Sequence, residues 1–369
     1  KMRAAIFDIW LNRDYRKYAA LTNNANFTLE NWQPSSRMNF YIRKDIISQI
    51  WNYGVASSVI EEVTSDPYEA DMMQISPDFI IGSIGSMPGQ FNGARDIAAA
   101  GDNTVYVADT KNHRIQHFNE YGELLNTWGT FADMGSGNAP GGTFNEPWGI
   151  AVGPDGSVFV ADTWNYRIQK FSPDGEFITM WGTSGQGESP TAFWGPRDVA
   201  VDPNGRVFVT DTGNKRIVVF DSNGQFLSQF GAAGMNLGEL DEPVGIAVDV
   251  DGKVYVADTW NQRIQVFSLV PETDTFVPVR SIEFYGWFGQ SIDNKPYLAV
   301  DAKGNVFVCD PEGMRVVEFD AQGIFVRAWG EFQNSGDGLS MPSGATADSL
   351  GRVWVTDAGS GRVMRFTMP

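Results

Sequence analysis

The sequence is poor in the residues that build metal centres and disulfides. It has one cysteine, Cys309, and two histidines, His113 and His117. One cysteine excludes an internal disulfide and a cysteine-ligated zinc cluster. Two histidines leave little for a histidine-ligated metal enzyme, and no cofactor is expected. Basic residues are also scarce: 27 Lys and Arg stand against 45 Asp and Glu, a net charge of −18. Phosphate binding needs clustered basic side chains, so this balance argues against nucleic acid. No run of about 18 apolar residues exists to span a bilayer, and no signal peptide is visible. What is abundant is glycine, 40 residues, and tryptophan, 12. These point to many turns and large aromatic anchors. Apolar residues make up 42%, enough to exclude a wholly disordered chain. Length alone suggests two or three domains at about 150 residues each.

A repeat replaces that count. From about residue 79 one pattern recurs, clearest in GIAVGPDGSVFVADTWNYRIQKFSPDGEFITMWG at 149–182. An Asp ends a Val/Tyr/Phe-rich run and an Arg follows five residues later. The pairs are Asp109 with Arg114, Asp162 with Arg167, Asp211 with Arg216, Asp258 with Arg263, Asp310 with Arg315 and Asp357 with Arg362. Successive Asp residues lie 53, 49, 47, 52 and 47 apart, a regularity that chance does not produce. Each unit reads as four short strands, a (GIAV type), b (VFVAD), c (RIQKF) and d (FITMWG). Pro154-Asp155-Gly156 turns a into b and Pro173-Asp174-Gly175 turns c into d, with Gly supplying the positive φ. Four-stranded units at periods of 40 to 50 residues imply propeller blades. The expected fold is all-β, a six-bladed β-propeller with a small α+β N-terminal extension. The last unit stops at Pro369 without a strand d, while Phe79–Gly85 (FIIGSIG) has that pattern without a, b or c before it. The sequence therefore predicts that 79–85 completes the sixth blade and closes the ring, which removes an open edge.

The repeats resemble NHL repeats over roughly 79–369. The matching residues are the ADT-x-N-x-RI segments at 108–115, 161–168 and 257–264, TDTGNKRI at 210–217, and the F/P-x-GIAV starts at 147–152 and 243–248. Gly313 and Ser360 replace the turn Asn in copies five and six. The resemblance implies a six-bladed propeller used as a binding module, as a scaffold and less often as an enzyme.

Residues 1–78 lack the repeat and form the second expected unit beside the propeller at 79–369. They hold Trp10, Trp32 and Trp51. Asn39–Arg43 and Val55–Val63 read as strands and Lys44–Trp51 as a helix with Ile46, Ile47, Ile50 and Trp51 on one face. About 78 residues is marginal for an independent core, so a packing extension is the alternative. RMNFYIRKDIISQIWNYG at 37–54 is similar to a segment that precedes the NHL propeller in bacterial membrane glycosyltransferases of the dolichyl-phosphate-mannose mannosyltransferase type. That resemblance implies an extracytoplasmic or cell-surface location, with a membrane tether upstream of Lys1 and the donor-lipid chemistry outside this chain.

The six Asp–Arg pairs read as structural, because a site normally breaks a repeat's symmetry. Function is expected where the copies differ. The b–c and d–a loops share one face, the top, and residues opening strand a ring the channel mouth. By copy these are Arg95 and Asp96, Trp148 and Gly149, Arg197 and Asp198, Val244 and Gly245, Tyr297 and Leu298, and Ser343 and Gly344. Trp164 and Trp260 sit in b–c loops and Trp194 in a d–a loop on the same face. The candidate binding set is therefore Arg95, Asp96, Trp148, Trp164, Trp194, Arg197, Asp198, Trp260 and Tyr297. Aromatic faces beside carboxylates and guanidinium suit a sugar, or a protein hot spot. The bland alternative is that each Trp packs between blades and the charges pair off. Other constellations read as structural: Asp249-Val-Asp251-Gly252 as a hairpin turn rather than a calcium loop, Cys309 as a buried small hydrophobe, and His113 and His117 as flanks of strand c. Asn26-Phe27-Thr28 fits the glycosylation pattern, a frequent chance match.

Four readings of function are open. The expected one is a non-catalytic binding or assembly module with a glycan or protein partner on the top face. The first alternative is a propeller enzyme of the metal-dependent lyase or lactonase type, for which no paired acid and base with a supporting third group is evident. The second is a subunit of a surface layer or filament. Nucleic-acid binding, known for some NHL propellers, ranks last, because residues 79–369 carry 19 Lys and Arg against 35 Asp and Glu.

Overall fold

The computed structural model describes residues 66–187, 189–288, 291–292, 294–330 and 336–369. The strands and helix expected within 39–63, the segment at 37–54, Asn26 and the three N-terminal tryptophans lie outside the described residues. The chain divides into two compact units, Lys1–Glu69 and Ala70–Pro369, and the second holds all six repeats.

That second unit is a six-bladed β-propeller. Blade 2 shows the plan: strand a Pro147–Val152, b Val158–Asp162, c Arg167–Phe171 and d Phe177–Trp181, each antiparallel to the next. The innermost strands of blades 1 to 6 are Ile97–Ala99, Pro147–Val152, Pro196–Val201, Pro243–Val248, Leu298–Val300 and Pro342–Ala347. Every strand b is buried along its whole length or all but its first residue. Strand d instead alternates exposed and half-buried positions, as in Leu124–Trp128. This gradient is why the b segments read as continuous apolar runs and the d segments do not.

The ring closes as the sequence predicts. Phe79–Ile81 pairs antiparallel with Arg362–Thr367, putting Phe79 opposite Arg365 and Ile81 opposite Val363. The edge is fixed further by an Arg365 Nε–Asp78 Oδ1 ion pair at 2.6 Å. Blade 5 carries a fifth strand that the sequence did not suggest: Met72–Met73 runs parallel to Phe325–Trp329. Two residues are too short to leave a periodic signal.

The core lies between blades. One apolar cluster joins Ala98, Tyr106 and Ile115 of blade 1 to Ile150, Val158 and Phe171 of blade 2. Others join blades 2 and 3, 3 and 4, 5 and 6, and 6 and 1. Aromatic residues ending strand d reach the next blade: Trp128 tilts against Phe171, Trp181 against Phe220 and Trp329 against Phe366. Trp128 covers the c–d turn of blade 2, where a Cβ on Gly175 would stand 2.6 Å from the indole. Phe79 covers Gly122 of blade 1 in the same way, so the closing strand reproduces the repeat's packing as well as its hydrogen bonds.

Candidate functional site

The turn between b and c is built identically in the first four blades. A single 3-10 turn, Thr-x-Asn, follows the Asp, and the next residue takes the left-handed conformation. These residues are His113, Tyr166, Lys215 and Gln262, with φ between 53° and 56°. In blade 2 Asp162 Oδ1 accepts the N–H of Asn145, and Oδ2 accepts from Asn165, Arg167 Nε and Gln169. Arg167 then donates to the carbonyls of Ala139, Pro140 and Thr143 in the d–a loop.

The other blades repeat this staple. Arg114 pairs with Asp109 at 2.7 Å, Arg216 with Asp211 at 2.8 Å, and Arg263 with Asp258 at 2.7 Å. Arg315 pairs with Asp310 at 2.9 Å and Arg362 with Asp357 at 3.1 Å. Arg114 also donates to the carbonyls of Ser86, Met87 and Gln90. Arg216 reaches those of Ser189 and Ala192, and Arg263 those of Asn236 and Glu239. Arg315 makes a longer contact, 3.3 Å, to Tyr285. The six pairs are structural, as their repetition implies, and none of these residues lines the top-face pocket described below. They hold both top-face loops in place and leave the variable residues to differ.

At the channel mouth the strand-a residues form a buried cluster. Trp148 is fully buried between two guanidinium groups, with Arg95 Cζ at 3.6 Å and Arg197 Cζ at 3.9 Å from its ring centre. Trp164 meets Trp148 edge-on at 6.1 Å, and Arg197 lies 5.3 Å from the Trp164 ring. Both indole N–H groups point to Glu146 Oε2, at 3.4 Å from Trp148 and 2.9 Å from Trp164. Tyr297, also fully buried, donates its hydroxyl to the carbonyl of Arg197. Arg95 Nη2 donates to the carbonyl of Ile292. Burial, reinforced by the charge of Arg95, brings Arg197 down to about 10.

Asp96 and Asp198 are brought together, which the sequence did not reveal. Their side chains hydrogen-bond to each other, and both are buried. Asp96 Oδ2 accepts the Ile150 N–H, while Asp198 accepts from Val199 and Ile246. Each carboxyl thus caps the innermost strand of the next blade. Two carboxyls in contact cannot both ionise without a large penalty, so they share a proton. Burial raises Asp96 to about 7. Burial, and then the charge of Asp96, raises Asp198 well above the carboxylate range. Gly149 makes the arrangement fit, since a Cβ there would stand 2.5 Å from Asp198 Cα and Oδ1.

On the top face, four of the expected residues line one pocket. Trp164, Trp194, Arg197 and Trp260 surround a cavity of about 330 Å³ together with Tyr166, Lys215, Asp241 and Glu242. Trp194 is exposed. Its ring rests on Gly213, where a Cβ would come 1.7 Å from Cδ1, so only glycine admits this placement. Lys215 Nζ pairs with Asp241 at 2.8 Å and Lys295 with Glu242 at 2.7 Å. Arg95, Asp96, Trp148, Asp198 and Tyr297 do not line this pocket; they are buried at the channel.

Sequence reasoning missed Tyr166, Lys215, Glu146, Asp241 and Glu242. A signal did exist. Tyr166 and Lys215 hold the left-handed position before the repeat Arg. Glu146 and Glu242 both precede the Pro that opens strand a, at φ 53° and 55°. The remaining suspects are structural in place. His113 Nδ1 accepts the Glu146 N–H and its ring leans on Phe131. His117 stacks on Tyr106 at 3.9 Å. Asp249 Oδ1 accepts the N–H groups of Asp251 and Lys253, closing a hairpin. Cys309 is fully buried in the cluster between blades 5 and 6. Among the described residues no group of three or more His, Cys, Asp or Glu is arranged to hold a metal, and no helix is long and apolar enough to cross a membrane.

Comparison with known proteins agrees with this architecture. Residues 91–118, 144–171 and 339–366 match the NHL repeat. Residues 195–331 match the SMP-30/gluconolactonase/LRE-like region. The chain carries NHL repeats on a six-bladed β-propeller. Peptidylglycine alpha-amidating monooxygenase of Rattus norvegicus is 34% identical over 94 residues, and the Mus musculus protein 36% over the same length. That stretch covers 24% of this chain and 9% of each relative's length. Among solved structures, a streptogramin B lyase superposes with a TM-score of 0.53 at 14% identity, covering 79% of this chain and 98% of its own. A gluconolactonase from Xanthomonas campestris gives 0.53 at 15%, covering 82% and 99%. At such identities the likeness is one of fold.

Proposed function

We propose that the chain is a binding module whose top-face pocket, between blades 2, 3 and 4, takes a sugar. The observation that carries this reading is the convergence of Trp164, Trp194 and Trp260 with Arg197 and two ion pairs around one cavity of about 330 Å³. That size is at the low end of ligand sites and suits one or two sugar rings rather than a long chain. Indole faces take the axial C–H groups of a pyranose, and the charged rim takes its hydroxyls. The pocket is preorganised by the turn staples, so little ordering opposes binding. The likeness at residues 37–54 to a glycosyltransferase-associated segment supports an extracytoplasmic setting for such a module. A glycan array on the intact chain, repeated with Trp194→Ala, tests the reading. Retention lost on that substitution is the expected result. No glycan retained, with a protein partner recovered through the same face, would replace sugar by protein.

A second reading, an enzyme of the lyase or lactonase kind, draws on the match at 195–331 and on the Asp96–Asp198 pair. Both carboxyls are enclosed, at 5% and 2% exposure, which disfavours substrate access. Lactone hydrolysis that rises with added divalent metal and disappears in Asp96→Asn would favour this reading.

A further inference from the structure

Resting on that sugar-binding reading, we infer that the sugar is acidic, with its oxyanion held by Arg197. The reason is a pair of unmet donors on a buried cation. Of the four charged residues lining the cavity, three are partnered: Lys215 with Asp241, and Glu242 with Lys295. Glu146, close by, accepts two indole N–H groups. Arg197 is stacked on Trp148 and near Trp164, yet its Nε and Nη1 are buried with no hydrogen-bond acceptor among the described residues. Stacking satisfies the face of a guanidinium and leaves its in-plane donors unmet. Glu242 and Glu146 act on this cation through space without accepting its in-plane donors, burial still outweighs them, and a planar cation that offers a fork of donors selects oxyanions. The two carboxylates in the wall do not oppose this, because each already holds a lysine. The missing partner is therefore an anionic group reaching the guanidinium while the attached ring lies against the tryptophans. A carboxylate and a sulfate ester share this chemistry.

The test uses the intact chain and three probes: glucuronate, glucose 6-sulfate and methyl glucoside. Binding is read at low salt from the tryptophan fluorescence of the pocket. At least one acidic probe is expected to bind about tenfold or more tightly than the neutral one. The preferred probe distinguishes carboxylate from sulfate. Arg197→Gln is expected to erase the preference, so that acidic and neutral probes bind alike, with folding checked by the melting temperature. Arg197→Lys, which keeps the charge and loses the fork, gives a second check and should show an intermediate preference. Equal binding of all three probes overturns the acidic assignment and leaves the sugar pocket standing. A preference unchanged in both variants also overturns it. Binding of none overturns the inference together with the reading on which it rests.

Discussion

At the residue scale the Asp–Arg staples and the Asp96–Asp198 pair make opposite use of buried carboxyls. Asp162 has its charge and its hydrogen bonds satisfied, with Arg167 at 2.8 Å and both side chains almost wholly buried. Asp162→Ala strands that guanidinium in the interior and should cost about 3–5 kcal/mol in chemical denaturation. Exposed Asp174→Ala should stay within about 0.5 kcal/mol. Burial raises the staple carboxyls of Asp162 and Asp310 too, Asp310 to about 6, but their arginines and hydrogen bonds oppose that rise, whereas the channel pair has no such cation and keeps a proton. Asp96, raised from 3.8 to about 7, holds its proton where the unfolded chain has lost it. The folded state then binds more protons between those values, so stability falls as pH rises through that window. The melting temperature is expected to drop from pH 5 to pH 8. Asp96→Asn, which can still donate to Asp198, should make the slope shallower without abolishing it, because burial still holds Asp198 above the carboxylate range. A slope of the same steepness in that variant would assign it to other groups. The contact between Asp96 and Asp198 was not readable from the sequence. The staples were legible because six copies repeat them, whereas the pair joins residues 102 positions apart that no repeat connects.

At the scale of elements, the closing strand and the glycine turns decide how far the pattern reaches. The strand at 79–81 was legible because it is the repeat's missing piece, and its pairing with Arg362–Thr367 is the one expected. A chain beginning at Gly89 would leave that strand's edge open and uncover Gly122 and its neighbours. It should melt well below the full chain or associate, as scanning calorimetry and light scattering would show. An unchanged melting temperature would mean that the fourth strand of blade 6 is dispensable. The pocket's shape was less legible. Trp194 was expected on the top face, but its seat on Gly213 depends on one missing methyl in a neighbouring turn. Gly213→Ala should displace the indole and shift the fluorescence maximum, with ligand quenching reduced severalfold. Because the added methyl also meets the Trp194 carbonyl at 2.6 Å, a modest loss of melting temperature should accompany the shift. A large loss of stability would instead place Trp194 among the packing residues.

At the scale of the whole molecule, burial separates the charges that hold the ring from those that oppose it. The chain carries −18 overall, and the six repeat aspartates are neutralised by arginines inside the blades. The excess acid therefore lies mainly outside those pairs, in turns such as Pro173-Asp174-Gly175, where Asp174 is exposed. Like charges spread over a compact surface repel, and the repulsion falls when the fold expands. Salt shortens the reach of surface charge to about 8 Å at physiological strength and about 3 Å at 1 M, while buried pairs are screened much less. Raising sodium chloride from low to about 0.5 M should therefore raise the melting temperature by a few degrees (an order of magnitude set by screening of the surface alone). The same titration should leave the cost of Asp162→Ala nearly unchanged. A melting temperature that falls with salt would mean that exposed ion pairs such as Arg365 with Asp78 outweigh the repulsion. The direction of that one curve thus decides whether the acidity of this propeller is a burden carried by its surface or part of what keeps the ring closed.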